Sequence, residues 1–235
     1  MFAREGYLLI GGAAALSLIL VFIGMQLSAG WRVLLFVAAA FSLGFTLYFF
    51  RDPDRTPPPE AASRLLAPAD GKVVAVVNET EPHYINGPAT RVSIFLSPLD
   101  VHVNRIPADG VLEFERYVPG DYLVAWHPKA SDKNERSELG LRHPSGTKVF
   151  FKQIAGAVAR RIVYHVSEGD TVQAGARFGI VKFGSRMDVA VPPGVEISVE
   201  EGDRVRAGET ILGRLPAPSA ASSDASAIRQ PTPTS

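Results

Sequence analysis

EGDTVQAG at residues 168–175 returns as EGDRVRAG at residues 201–208, 33 residues further on. In each copy Gly-Asp is a turn signal, the valine between polar neighbours reads as an inward-facing strand residue, and Ala-Gly is a second turn. Gly-Asp turns recur by chance, but a match of this length outweighs that account. The pair therefore predicts two similar halves folded together, with residues 183–189 between them. A second echo supports this. Pro68-Ala69-Asp70-Gly71 recurs as Pro107-Ala108-Asp109-Gly110, each copy just ahead of an apolar run.

Around these phrases, residues 66–215 read as short strands. Residues 72–77, 91–96, 111–117, 148–154, 161–165 and 178–183 are rich in β-branched and aromatic side chains, and Gly, Pro, Asp and Asn punctuate them. The one helical pattern in this region is a short stretch near residues 131–139. The repeated phrase resembles the duplicated half of barrel-sandwich domains of the biotinyl/lipoyl carrier type. The expected fold is thus mostly β, a barrel-sandwich-like domain over residues 66–215.

The first fifty residues are of another kind. Residues 6–31 carry no charge, and the apolar run 7–27 would span roughly 31 Å as a helix, about the thickness of a hydrocarbon core. A second run, 33–50, would span about 27 Å, and only residues 28–32 separate the two. So short a link forces an antiparallel pair, predicted here as a membrane hairpin over residues 1–50. Two core helices seldom stay uncharged for so long, and a signal peptide is not followed at once by a second apolar run. Both ends of the hairpin must share one side. That side carries Arg4, Arg51 and Arg55, against Arg32 alone at the tip, so the positive-inside rule favours a body on the cytoplasmic side of the cell membrane. Residues 51–65, with Pro57-Pro58-Pro59, read as a stiff linker at the membrane surface. Residues 216–235 hold one large aliphatic side chain and are expected to be disordered.

Composition narrows the chemistry. The 235 residues hold 24 basic and 24 acidic side chains, so nothing suggests a nucleic-acid partner. Without cysteine there is neither a thiolate nucleophile nor a sulfur-ligated metal. Of five histidines, His83 and His143 adjoin prolines and read as surface loop residues. His165 alternates with Val163 along an expected strand, and His127 sits in an ordinary Trp-His-Pro context. His102 differs. Asp100, His102, Asn104 and Arg105 crowd together between apolar flanks after the Ser97-Pro98 turn, with no second histidine at metal-ligand spacing, so no metal is expected. A second focus is Gly184-Ser185, flanked by β runs. A serine hydroxyl beside an unhindered glycyl carbonyl suits an N-to-O acyl shift, although Gly-Ser pairs are also ordinary turn chemistry.

Together these pieces resemble the phosphatidylserine decarboxylase proenzymes, in particular their short bacterial form. The matching phrases, in family order, are Phe49-Phe50-Arg51-Asp52-Pro53, Ala67-Pro68-Ala69-Asp70-Gly71, Leu96-Ser97-Pro98 with Asp100 and His102, and Val118-Pro119-Gly120-Asp121. They continue with Asn134-Glu135-Arg136, Gln153-Ile154-Ala155-Gly156-Ala157 and Gly179 through Gly184-Ser185. The resemblance implies self-cleavage between Gly184 and Ser185. Ser185 would attack the Gly184 carbonyl, β-elimination would follow, and hydrolysis would leave a pyruvoyl group at position 185. A β chain, residues 1–184, and an α chain, residues 185–235, would remain together as a heterodimer, with any higher oligomer left open. The pyruvoyl cofactor would form a Schiff base with phosphatidylserine and promote its decarboxylation to phosphatidylethanolamine. His102 matches the histidine that acts on substrate, as a proton donor, and Asp70 the aspartate of an Asp-His-Ser processing triad.

One departure bears on mechanism. Where better-known members carry a second histidine as processing base, this chain has Arg105, which stays protonated. Either His102 serves both steps or Asp70 acts through water, and Arg105 is free in this reading to hold a substrate carboxylate or phosphate. Position 186 also differs, being arginine where many members have threonine. The competing readings are a membrane-anchored barrel-sandwich adaptor with no enzymatic role and a pyruvoyl decarboxylase of another amino-lipid. A carrier role is weaker, since Ser185-Arg186-Met187 stands where a carrier lysine would sit at a hairpin tip.

Overall fold

The computed structural model describes residues 1–123, 130–156, 162–181 and 185–216. The hairpin forms as expected, from α1 (Tyr7–Met25) and α2 (Ala29–Phe49). Small residues meet between the helices: Ser17 and Gly24 of α1 and Ala39 of α2 are buried, and the Ser17 hydroxyl donates to the Ala39 carbonyl at 2.9 Å. The large side chains, among them Leu8, Leu18, Phe22 and Phe41, point away and are exposed. Small inside and large outside is the reverse of a water-soluble pair, and it is how helices associate when lipid covers their outer surface. Both helices are long and apolar enough to cross a membrane. The two ends are tied together: the Ala3 N–H donates to the Phe50 carbonyl at 2.9 Å and the Asp52 N–H to the Met1 carbonyl at 2.8 Å.

The rest is mostly β. In chain order the strands are β1 (Arg64–Leu66), β2 (Gly71–Glu81), β3 (Gly87–Leu96), β4 (Val103–Arg105), β5 (Gly110–Val118), β6 (Arg136–Arg142) and β7 (Lys148–Ile154). There follow β8 (Ile162–Tyr164), β9 (Thr171–Val172), β10 (Arg177–Val181), β11 (Ser185–Val191), β12 (Glu196–Ile197), β13 (Arg204–Val205) and β14 (Ile211–Arg214). One antiparallel sheet of eight runs β13-β2-β3-β11-β7-β6-β5-β9, and two small sheets, β1-β14-β12 and β4-β10-β8, complete the sandwich. The main core lies between them, with Ile94, Leu96, Leu112, Leu139, Phe151, Phe178 and Met187 fully buried.

The order of the large sheet is that of a dyad passing between β11 and β7, and the repeated phrases explain it. Each Pro-Ala-Asp-Gly turn interlocks with one EGDxVxAG phrase. The Ala207 N–H donates to Asp70 Oδ1 at 2.8 Å, and in the other half the Ala174 N–H donates to Asp109 Oδ1 at 2.7 Å. Gly208 N–H to Ala67 carbonyl, at 2.8 Å, is matched by Gly175 N–H to Ile106 carbonyl at 2.9 Å. Likewise Val73 N–H to Asp203 carbonyl is matched by Leu112 N–H to Asp170 carbonyl, both at 2.9 Å. The two halves also cross-link directly, Leu66 N–H to Pro107 carbonyl and Arg105 N–H to Pro68 carbonyl, at 2.7 and 2.8 Å. The duplicated sandwich predicted from the phrases is therefore present.

Several local expectations change. Residues 131–139 do not make a helix: a single turn, Ala130–Lys133, gives way to β6, because Leu139 and Leu141 alternate into the core while β5 and β7 pair on both sides. Residues 185–189 are not a link between halves or a hairpin tip. They open β11, a central strand buried at every position. The strand foreseen at 161–165 is Ile162–Tyr164, and that at 178–183 is Arg177–Val181. Arg161, residues 182–184 and residues 217–235 lie outside the described residues, as does His127. His143 is not a surface residue: its ring is buried, Nε2 lies 2.9 Å from the Ala62 carbonyl and Nδ1 lies 2.7 Å from the Ser145 hydroxyl. His83 and His165 are exposed, and His165 pairs with Glu5 at 2.6 Å.

Candidate active site

Ser185 is the first residue of β11. It pairs with Leu96 of β3, and its neighbour Arg186 pairs with Ile154 of β7, so strands flank it on both sides. The side chain is fully buried, and its Oγ has no hydrogen-bond partner among the described residues. A serine hydroxyl left unsatisfied in a core costs about 1–3 kcal/mol, a cost ordinary packing would remove. Gly184, its predicted cleavage partner, lies outside the described residues.

His102 lies at the end of the Ser-Pro loop, and the loop is fixed by the root of the hairpin. Asp100 accepts from the Ser97 N–H at 2.8 Å and closes the turn. The Leu99 carbonyl accepts from Arg51 at 2.7 Å and from the Tyr48 hydroxyl at 3.2 Å, while the Arg51 guanidinium lies 3.9 Å over the Tyr48 ring. The His102 ring is fully buried against Phe49, the last residue of α2, with ring centres 4.1 Å apart. Burial pushes its pKa down to about 4, against the opposing pull of its bond to the Asp100 main chain and of the Asp100 charge. The imidazole is therefore neutral near pH 7 and able to accept a proton.

Arg105 is buried and fully engaged. Its guanidinium donates to the Gly175 carbonyl at 2.8 Å and the Pro53 carbonyl at 3.0 Å, and lies 3.4 Å from Asp52. It fastens the linker to the sandwich. Asp70 binds the Ala207 N–H through one oxygen and Arg55, at 2.8 Å, through the other. Burial raises its pKa despite these partners, with the Asp100 charge adding to the effect. Arg51, Arg55, Asp70, Val101 and Arg206 line a cavity of about 510 Å³ at the hairpin root, one residue from His102. The structure thus gathers Asp70, the His102 loop and three arginines at the root of the hairpin.

Two features escaped the sequence reading. Arg186, Asp188, Ser93 and Ser131 form a buried cluster: Arg186 donates to Asp188 at 2.6 Å and to Ser93 at 2.6 Å, and the Ser131 hydroxyl donates to Asp188 at 2.6 Å. Asp188 is held below the usual carboxylate range, because Arg186, Lys152 and Arg91 together outweigh the large cost of its burial. The alternation of charge in Arg186-Met187-Asp188 was the available signal. The second feature is a chain of buried polar side chains, Asn104–Gln153–Ser137, for which Asn104 in the polar cluster and Gln153 in the family phrase were the hints.

The comparisons agree with one another. A family profile described as phosphatidylserine decarboxylase matches residues 43–213. A phosphatidylserine decarboxylase proenzyme of Salinibacter ruber is 64% identical over 207 residues, covering 87% of this chain and 91% of the relative. One of Prosthecochloris aestuarii is 42% identical over 216 residues, covering 92% and 98%. One of Gluconobacter oxydans is 51% identical over 174 residues, covering 73% and 77%.

Proposed function

This chain belongs to the phosphatidylserine decarboxylase family, and we propose that it cuts itself between Gly184 and Ser185 and decarboxylates phosphatidylserine at the group left on residue 185. The observation that carries this is the Ser185 Oγ, buried without a partner among the described residues at the start of a central strand. A position that wastes a hydroxyl's hydrogen bonds fits a hydroxyl that is consumed. The fit extends to the surroundings, since the fully buried His102 is neutral near pH 7, its ring unprotonated and able to receive a proton.

In the self-cleavage, Ser185 Oγ adds to the Gly184 carbonyl carbon as His102 takes the hydroxyl proton. The C–N bond breaks, the amine regains the proton, and an ester remains. His102 then removes the Ser185 α-proton, the Cβ–Oγ bond breaks, and the Gly184 carboxylate departs. Water hydrolyses the dehydroalanine left behind, ammonia leaves, and residue 185 becomes pyruvoyl. When formed, that group supplies an electrophilic ketone that draws electrons from the bond to the departing carboxylate. In this reading His102 serves as base in processing and as proton donor to the product, and so takes the role vacated at position 105. A protonated ring with a pKa near 4 releases its proton readily. Asp70 acts on the charge of this region, and Arg105 anchors the linker.

A membrane-seated hairpin would hold this chemistry at a membrane surface. Its outward large apolar side chains suit lipid, and Arg4, Arg51 and Arg55 on the side of the body favour a cytoplasmic orientation. The cleft of Arg51 and Arg206 at its root has the charge to receive a lipid phosphate, with the loop of His102 beside it.

Denaturing mass spectrometry of the purified protein tests the reading. The expected result is two chains in place of one of 25.3 kDa, the smaller lacking a free N-terminal amine and reacting with a hydrazide. Ser185→Ala should leave the chain whole and inactive on phosphatidylserine vesicles. An intact, carbonyl-free chain that still releases CO₂ would overturn it.

A further inference from the structure

We propose that the side-chain amide of Asn104 is the hydrogen-bond donor that steadies the negatively charged oxygen during self-cleavage, and that Gln153 and Ser137 aim it. The proposal rests on the self-cleavage reading above and names a residue which that reading does not require.

Asn104 is fully buried in β4, and its Nδ2 has no partner among the described residues. Its orientation is not accidental. The Ser137 hydroxyl donates to Gln153 Oε1 at 2.8 Å, which turns the Gln153 amide nitrogen the other way, and Gln153 Nε2 donates to Asn104 Oδ1 at 2.8 Å. With its oxygen held, Asn104 must direct its NH₂ away from Gln153. Gly179 makes this reach feasible. It stands opposite Asn104 in the β4–β10 pairing, and a Cβ there would fall 2.9 Å from Gln153 Nε2 and 2.3 Å from the Val163 carbonyl.

The register brings the free amide near the serine. Gln153 is paired with Met187 of β11 and with Ser137 of β6, so the three side chains share one face of the sheet. Ser185, two residues before Met187, is on that face as well. Asn104 Nδ2 and Ser185 Oγ, both buried without a partner among the described residues, therefore lie on the side of the sheet that Gln153 faces.

The internal duplication supplies a control. The offset that relates Ala67 to Ile106 and Asp70 to Asp109 relates Leu65 to Asn104. Leu65 pairs with Gly213 as Asn104 pairs with Gly179, and Leu65 is fully buried in the apolar core. The fold thus accommodates a leucine at this place in one half. In the other half it holds an amide whose donor has no partner among the described residues, at a cost in stability. A donor kept at that cost has chemistry to do. When Ser185 Oγ adds to the preceding carbonyl carbon, the carbonyl electrons move onto oxygen. When the Cβ–Oγ bond later breaks, the leaving carboxylate carries the charge. The Asn104 N–H serves the negative oxygen in both steps, while His102 handles the protons.

The test follows cleavage of freshly synthesised full-length chain by intact mass, with thermal unfolding measured alongside. Asn104→Leu, which copies the twin position, removes one unpaired donor and leaves Gln153 Nε2 without its acceptor; it should fold with stability near that of the parent, yet cleave roughly 10²–10³-fold more slowly, the usual loss for one oxyanion donor. Asn104→Asp should show the same slowing. Gln153→Glu presents a carboxylate that draws the Asn104 NH₂ to itself; cleavage should slow near pH 8 and recover as pH falls and the new acid is protonated. Wild-type chain that cleaves, with Asn104→Leu or Asn104→Asp cleaving within threefold of it, would overturn the proposal. Should both of those variants fail to fold, a Gln153→Glu pH profile identical to wild type would do the same. Wild-type chain that never cleaves would instead overturn the reading on which it rests.

Discussion

Replacing Phe49 by alanine should convert His102 from a neutral histidine into one that is charged in mild acid. Phe49 is the last residue of α2, almost wholly buried, and its ring lies 4.1 Å from that of His102. The main cause of the low His102 pKa, about 4 against an ordinary 6.5, is burial. That difference corresponds to roughly 3 kcal/mol against the charged ring. Removing the phenyl group lets water reach the imidazole and should return its pKa toward 6.5. At pH 5.5 the neutral fraction would then drop from about 97% to about 9%, a tenfold loss of base, while at pH 8 both proteins keep nearly all of theirs. The cavity itself costs about 3–5 kcal/mol, so folding must be confirmed first. Two assays read the effect. Histidine NMR titration, in an uncleavable Ser185→Ala background, gives the pKa directly. Self-cleavage rates at pH 5.5 and 8 should show a wild-type to Phe49→Ala ratio about ten times larger at the lower pH. A ring that still titrates near 4 in the variant, or a ratio that does not change with pH, would refute the idea that the hairpin root sets the protonation of the site.

Gly179→Ala should cost about 1–3 kcal/mol in urea unfolding and slow self-cleavage, since the new Cβ meets the Val163 backbone carbonyl as well as Gln153. Asp188→Asn should destabilise by about 3–5 kcal/mol at pH 7, because it leaves Arg186 buried with its charge uncompensated. The sign with pH is fixed. Asp188 is depressed in the fold, so its contribution is present above the ordinary carboxylate pKa and lost as pH falls; wild type should lose stability more steeply than Asp188→Asn on acidification from pH 5 to 2. Arg206→Glu, at an exposed edge of the arginine-lined cleft, should weaken turnover of phosphatidylserine in vesicles while leaving self-cleavage at the wild-type rate.

The fold was legible wherever a periodic or repeated signal existed. The charge-free runs announced α1 and α2, and the EGDxVxAG and Pro-Ala-Asp-Gly phrases announced the duplication. What they did not disclose is that the two motifs interlock, because that is a long-range pairing of turns. β6 was misjudged because Ser137, Glu138 and Gly140 look soluble; their burial follows from neighbours on both sides and from Arg116 and Arg136 around Glu138. β11 was hidden for a similar reason, its Arg186 and Asp188 being charges that are neutralised only in three dimensions. In the site, Ser185 and His102 stood out in the sequence. The contact of Phe49 with His102, and the chain from Ser137 to Asn104, join residues far apart in sequence and needed the structure.

Asp70 is the residue for which duplication makes the sharpest experiment, since Asp109 is its structural duplicate. Each aspartate accepts the main-chain N–H of the alanine in an EGDxVxAG phrase, at 2.8 and 2.7 Å. A bond to a charged acceptor contributes about 1.5–3 kcal/mol, and the neutral amide of an asparagine keeps part of it. Asp70→Asn and Asp109→Asn should therefore lower stability by similar amounts, about 1–2 kcal/mol, since Arg55 keeps its pairing with Glu209 and burial already disfavours the Asp70 charge. Only Asp70 opens on the cavity beside the His102 loop, where Arg51 and Arg55 crowd and a negative charge favours a proton on the imidazole during transfer. If Asp70 assists chemistry, Asp70→Asn should slow self-cleavage well beyond Asp109→Asn at matched stability. Equal cleavage rates in the two variants would mean that this aspartate, like its twin, only closes a turn.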